Sequence, residues 1–153
     1  MKAIYSIFAY LKSHGRSKVI FDPRRNDTPD SMFSAVDWKD FYQDAAEPMP
    51  PKGPPPGGRA VRTLWYVDAD HAGNLATRRS HTGILLYVNN APIMRYSKRQ
   101  NTVEASSFGS EFNAARIAVE MIESLRYKLL MFGVAIDGPT DISMRQPVSG
   151  HQC

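Results

Sequence analysis

The chain has 153 residues, of which 42% are hydrophobic, with 11 prolines, 10 glycines and a formal net charge of +4. That length allows one domain of ordinary size plus a linker, and no stretch approaches the ~18 consecutive apolar residues that a membrane-spanning helix needs. The lone cysteine, Cys153, excludes an internal disulfide and a thiolate zinc site, so a reducing, intracellular setting is expected.

From the first residue to about Asp22, the apolar residues Ile4, Phe8 and Leu11 fall at helical spacing, with Ile7 and Tyr10 beside them. Gly15 follows Lys12 and His14, as expected just past a helix end. No small-residue cleavage site follows this apolar stretch, which argues against a signal peptide. A lone helix of about fourteen residues is marginal in water, so it is expected to pack on the later domain or on a neighbour. Val19–Phe21 reads as a short extended segment stopped by Pro23.

Residues 22–58 read as a Pro/Gly-rich connector, with a run from Pro48 to Gly58 that favours extended, solvated backbone. A ligand for a proline-recognising module is the competing reading of that run. Trp38, Phe41 and Tyr42 are too aromatic for a free linker and are expected to lie on a folded surface.

Residues 59–142 carry the domain. Arg62–Asp68 is rich in β-formers and predicts a strand; Gly83–Val88 and Pro92–Tyr96 predict two more, joined as a hairpin through Asn89-Asn90-Ala91. Ser106 or Ser107 can cap a long helix that reaches Phe132 and ends at Gly133. Its expected apolar face comprises Phe108, Phe112, Ala115, Val119, Ile122, Leu125 and Leu129. A final strand is expected to begin near Pro139–Ile142. Met94, Met121 and Met131 read as core fillers, and Arg126 and Lys128 as cations that complement the helix dipole.

Two carboxylates stand out by position. Asp68 closes the first strand and Glu111 falls in the first turn of the long helix, a pairing that can gather oxygen ligands around a hard cation such as magnesium. The plain alternatives are a strand-end turn residue and an acid favoured by the helix dipole. Arg78, Arg79 and Ser80 lie in one polar loop and Lys98, Arg99 and Gln100 in a second basic segment; these residues either meet nucleic-acid phosphates and sugars or solvate the loops. The net positive charge suits a polyanionic partner. His71 and His81 lack partners at metal-ligand spacing.

Tyr66-Val67-Asp68-Ala69-Asp70-His71-Ala72-Gly73 closely resembles the YxDADxAG segment of the ribonuclease H domains of copia-type retrotransposon polyproteins. Thr77–Gly83 resembles the loop before the second strand in that family, Tyr96–Val103 the segment after the third, and Ser106–Phe112 its SSxxxE helix start. Residues 1–21 are similar to the segment that closes the reverse transcriptase region. The resemblance implies an α/β, ribonuclease H-like fold with three antiparallel strands, a long helix and the start of a fourth strand, incomplete at the C-terminus. It implies Mg2+-dependent cleavage of RNA in RNA–DNA hybrids, with Asp68 and Glu111 as catalytic and metal-binding carboxylates and Asp70 as a non-ligand. Arg78, Arg79, Ser80, Lys98, Arg99 and Gln100 would then face the hybrid, and the rest of the polyprotein is a further expected partner.

One departure matters. The family's strand after the long helix delivers a Cys-Asp-Asn-like triplet holding a third catalytic aspartate, whereas this chain reads Ser143-Met144-Arg145-Gln146-Pro147. Asp141 comes about three positions early, and residues 143–153 form a tail that resembles nothing in the family. A fourth acid would fall beyond the last residue. Loss of a catalytic ligand removes orders of magnitude in rate, each factor of ten being about 1.4 kcal/mol of barrier. The expectation is therefore a domain with reduced magnesium affinity and little or no hydrolysis. A non-enzymatic adaptor working through the proline-rich run is the third reading. Without the later helix that covers one sheet face in the family, an exposed apolar patch is also expected.

Overall fold

The computed structural model describes residues 2–25, 29, 33, 39–43 and 46–144. In chain order these form helix α1 (Lys2–Ser13), the single turn α2 (Lys39–Tyr42), strands β1 (Gly57–Val61), β2 (Thr63–Asp70), β3 (His81–Val88) and β4 (Ala91–Arg99), the long helix α3 (Ser107–Met131), and strands β5 (Val134–Ile136) and β6 (Asp141–Met144). The fold is mixed α/β.

The principal sheet has the order β4-β3-β2-β6. Strands β2, β3 and β4 run antiparallel to one another in turn, and β6 returns beside β2 in parallel, with Leu64 opposite Asp141 and Val67 opposite Met144. A parallel neighbour requires a crossover, and α3 supplies it. The smaller sheet pairs β1 with β5 in parallel; neither of its strands carries a pattern strong enough to stand out in the sequence.

The β3–β4 turn is tight, with Val88 paired to Ala91 across Asn89 and Asn90. Asn89 takes a left-handed φ of +55, which asparagine tolerates better than most residues. Its side chain accepts the Arg62 N–H at 3.0 Å and donates to the Pro23 carbonyl at 3.0 Å, so the turn also anchors the chain that enters from α1.

Alternation along β2 sends Trp65 and Val67 into the core with Ile84 and Leu86 of β3, where they meet Ala114, Ala118 and Ile122 of α3. The buried stripe of the helix is Ser110, Ala114, Ala118, Ile122 and Leu130. Ile122 and Leu125 of the expected face do meet the core, but the rest of that face is corrected. Phe108, Phe112 and Val119 share helical spacing but point to solvent, at 74%, 64% and 43% exposure. Small side chains let the helix approach the sheet closely, and that contact outweighs the larger side chains on the neighbouring stripe. Ser106 caps the helix, its Oγ accepting the Gly109 N–H at 3.2 Å, and Gly133, at φ +70, closes the other end.

Several segments depart from expectation. The large apolar residues of α1 from Ile4 to Leu11 are each more than half exposed, so they do not pack on the later domain. Val19–Phe21 forms no strand. Phe41 is 76% exposed, while Trp38 and the side chain of Tyr42 fall outside what is described. The proline-rich connector, by contrast, is strapped to the domain: Pro50 is buried, Gly133 sits against Pro54, and Glu47 makes a two-pronged pair with Arg126 at 2.7 Å. Arg126 also donates to the Gly138 carbonyl and Thr140 Oγ1, so it ties three segments together beyond any effect of the helix dipole. Met121 packs against the core, whereas Met94 and Met131 are exposed. No helix among the described residues is long and apolar enough to cross a membrane.

Candidate functional site

Asp68 lies on the sheet face opposite Trp65 and Val67, near the C-terminal end of β2, and its Oδ1 accepts the N–H of Ala69 at 3.0 Å. Asp70, two residues on, shares that face. The chain then turns sharply. Ala72 adopts φ +50 and donates its N–H to Ser80 Oγ at 3.0 Å, while the Asp70 carboxylate folds back over Gly73. A Cβ at Gly73 would stand 1.8 Å from Asp70 Oδ2, so a larger residue there would push that exposed carboxylate aside.

Glu111 is the fifth residue of α3, just past its first turn, so the helix dipole supports an acid there less than expected. What locates it is Gln100. Its Nε2 donates both to Thr82 Oγ1 at 3.0 Å and to the Ser110 carbonyl at 2.9 Å. Thr82 is the register partner of Ala69, next to Asp68. The first turns of α3 are therefore pinned to the end of the sheet that carries Asp68, but Asp68 points to the face that α3 leaves uncovered, so the two carboxylates share an end of the sheet without being brought together on one face.

This geometry corrects two of the residues expected to contact nucleic acid. Ser80 is 0% exposed and Gln100 3%. Ser80 Oγ and Gln100 Nε2 are engaged inside the fold, with the Gln100 N–H also donating to the Ser80 carbonyl at 2.8 Å, and Gln100 Oε1 is buried without a hydrogen-bond partner among the described residues. Neither can meet a phosphate.

The same bond brings the basic residues together. It joins the loop of Arg78 and Arg79 to the end of β4, where Lys98 and Arg99 lie beside Thr82 and His81. Five other arginines, Arg24, Arg25, Arg62, Arg116 and Arg126, hold carboxylates at 2.5 to 2.8 Å. Arg78, Arg79, Lys98 and Arg99 take part in none of those pairs. Arg95, which no motif singles out, likewise stands outside them and enters the Asp68 face only through strand pairing.

No third carboxylate stands beside Asp68 on β6 among the described residues. Asp141 stands opposite Leu64, four residues back along β2 and hence about 13 Å from the level of Asp68. Its carboxylate is held by Arg62 Nε at 2.5 Å. The β2–β6 register ends at Val67 and Met144, and the tail residues 145–153 lie outside those described. No group of three or more His, Cys, Asp or Glu among the described residues could hold a metal ion. Asp68 and Glu111 supply too few oxygen ligands for a pair of magnesium ions.

No protein-family profile matches the chain, and no solved structure matches it.

Proposed function

We propose that the chain is a degenerate ribonuclease H-like domain of copia-type retrotransposon origin, one that binds nucleic acid weakly and no longer cuts it. Support for the ancestry comes from the four ordered sequence motifs, joined by a sheet of three consecutive antiparallel strands with a fourth returning after a long helix. The observation that carries the loss of cleavage is the position of Asp141: the carboxylate nearest in sequence to the missing one is engaged by Arg62 at the far end of β2. Asp68 and Glu111 alone would leave attacking water and leaving oxygen without two flanking ions. The cations Arg78, Arg79, Lys98 and Arg99 would meet phosphates of an RNA–DNA hybrid, reading its shape rather than its bases.

The test is an end-labelled RNA–DNA hybrid incubated in magnesium with this chain and with Asp68→Asn. No cleavage above buffer is expected from either, and cleavage lost in the variant would overturn the inactivity. Hybrid binding, followed by fluorescence anisotropy, should weaken steeply with salt. Arg78→Ala with Arg79→Ala should lower the slope of log affinity against log salt by about 0.9 per cation removed. No hybrid binding even at low salt would overturn the nucleic-acid reading.

A further inference from the structure

The sheet face that α3 leaves uncovered has an ordered composition. Directly paired residues share a face, so the register writes it out in rows across the strands. One row runs Ser143, Tyr66, Leu85, Arg95; the next runs Asp68, Gly83, Ser97; the last runs Asp70, His81, Arg99. The first row presents an aromatic ring and an aliphatic chain ending in a guanidinium. The second has almost no side-chain bulk at Gly83 and Ser97. The result is a depression of about 480 Å³ lined by Tyr66, Asp68, Gly83, Leu85, Arg95 and Ser143, within the size range of small-ligand sites.

Tyr66 is 44% exposed, its ring set edge-on to Tyr87 with centroids 5.9 Å apart. A tyrosine held by its neighbour while one ring surface stays open is a stacking platform. Arg95 supplies a cation on the same row, and Arg99 lies four residues along the same face of β4, about 13 Å away.

We propose that this face binds single-stranded nucleic acid, with one unpaired base stacked on Tyr66 over Gly83 and the flanking phosphates on Arg95 and Arg99. A duplex cannot use the site, because its bases are already stacked on each other and only its backbone is offered. An apolar peptide is a poorer match, since the depression is short and rimmed by charge. The site stands on Tyr66 and Arg95, which the hybrid reading does not use; Arg99 is common to both, so Tyr66→Ala and Arg95→Gln are the variants that separate the two readings.

The experiment uses the full chain and a roughly 12-nucleotide oligothymidylate carrying one 2-aminopurine, whose fluorescence is quenched when it stacks. Quenching is expected with the unmodified chain and with Tyr66→Phe. Tyr66→Ala should weaken binding at least about tenfold and abolish the quenching, and Arg95→Gln should weaken binding while flattening its salt dependence. Circular dichroism of each variant confirms folding, and Tyr66→Ala should leave hybrid affinity within about twofold. If the single strand does not bind, or binds equally well to Tyr66→Ala, the proposal is overturned, whatever the hybrid does. Hybrid binding that fails while Tyr66-dependent quenching persists would instead sink only the hybrid reading.

Discussion

Gln100 shows how far one side chain can decide the layout of the site. A glutamine after two basic residues reads from the sequence as part of a polar binding loop. In the fold, its amide joins β3 to the first turns of α3, and its backbone N–H joins β4 to the Arg78–Ser80 loop. Gln100→Ala removes both side-chain bonds and leaves the buried Thr82 hydroxyl and the Ser110 carbonyl short of a partner. A loss of about 1–3 kcal/mol is expected, measured by urea unfolding. Hybrid binding should also weaken, because the start of α3 and the end of the sheet lose their common anchor. A stability unchanged within about 0.5 kcal/mol would contradict this role. Ser80 behaves alike: a hydroxyl that the sequence offers to a phosphate holds the Ala72 N–H instead.

Among the elements, α3 departs most instructively from its pattern. Two stripes of similar spacing compete on this helix, one aromatic and one built from Ala114 and Ala118. Periodicity alone favours the larger apolar residues. Packing against a flat sheet favours the smaller ones, because the backbone can then sit close to Trp65 and Leu86. Ala118→Leu would force α3 away from the sheet and should destabilise by about 1–3 kcal/mol in urea unfolding. The same substitution at the exposed Val119 should stay within about 0.5 kcal/mol. Equal costs at both positions would mean that the helix is rotated from the orientation described. Phe108, Phe112 and Val119 leave an exposed apolar stripe on the helix, and the sheet face that α3 leaves uncovered exposes Tyr66 and Leu85.

For the molecule as a whole, the connector matters more than its composition suggests. Glu47, Arg126 and Thr140 hold residues 46–56, α3 and the entry to β6 in one cluster. The hydrogen bond from Arg126 lowers the Glu47 pKa from its ordinary value of 4.5; partial burial opposes this and the Arg126 charge reinforces it. A carboxylate whose pKa is depressed in the folded state adds stability above the unfolded value, and loses it as pH falls through the folded value. Glu47→Gln should therefore be the less stable form near neutral pH, with the gap closing below about pH 4.5. Because the Glu47 side chain is 37% exposed, the effect should be on the order of 1 kcal/mol or less, read from urea unfolding at successive pH values. A gap that does not change with pH would show that the pair contributes nothing through its charge.

The amino-acid sequence by itself determined the order of three strands, a long capped helix and a returning strand, because alternation, helical spacing and the residues Ser106, Asn89 and Gly133 act locally. It also showed Asp68 and Glu111 as a candidate pair, and the absence of an aspartate after Ile142. Only the tertiary structure decided which stripe of α3 is buried, that Ser80 and Gln100 are internal, that Asp141 belongs to Arg62, and that Tyr66 and Arg95 share a row. Each of those depends on pairing between residues distant in the chain, where strand register and close packing choose among side chains that look equivalent in one dimension.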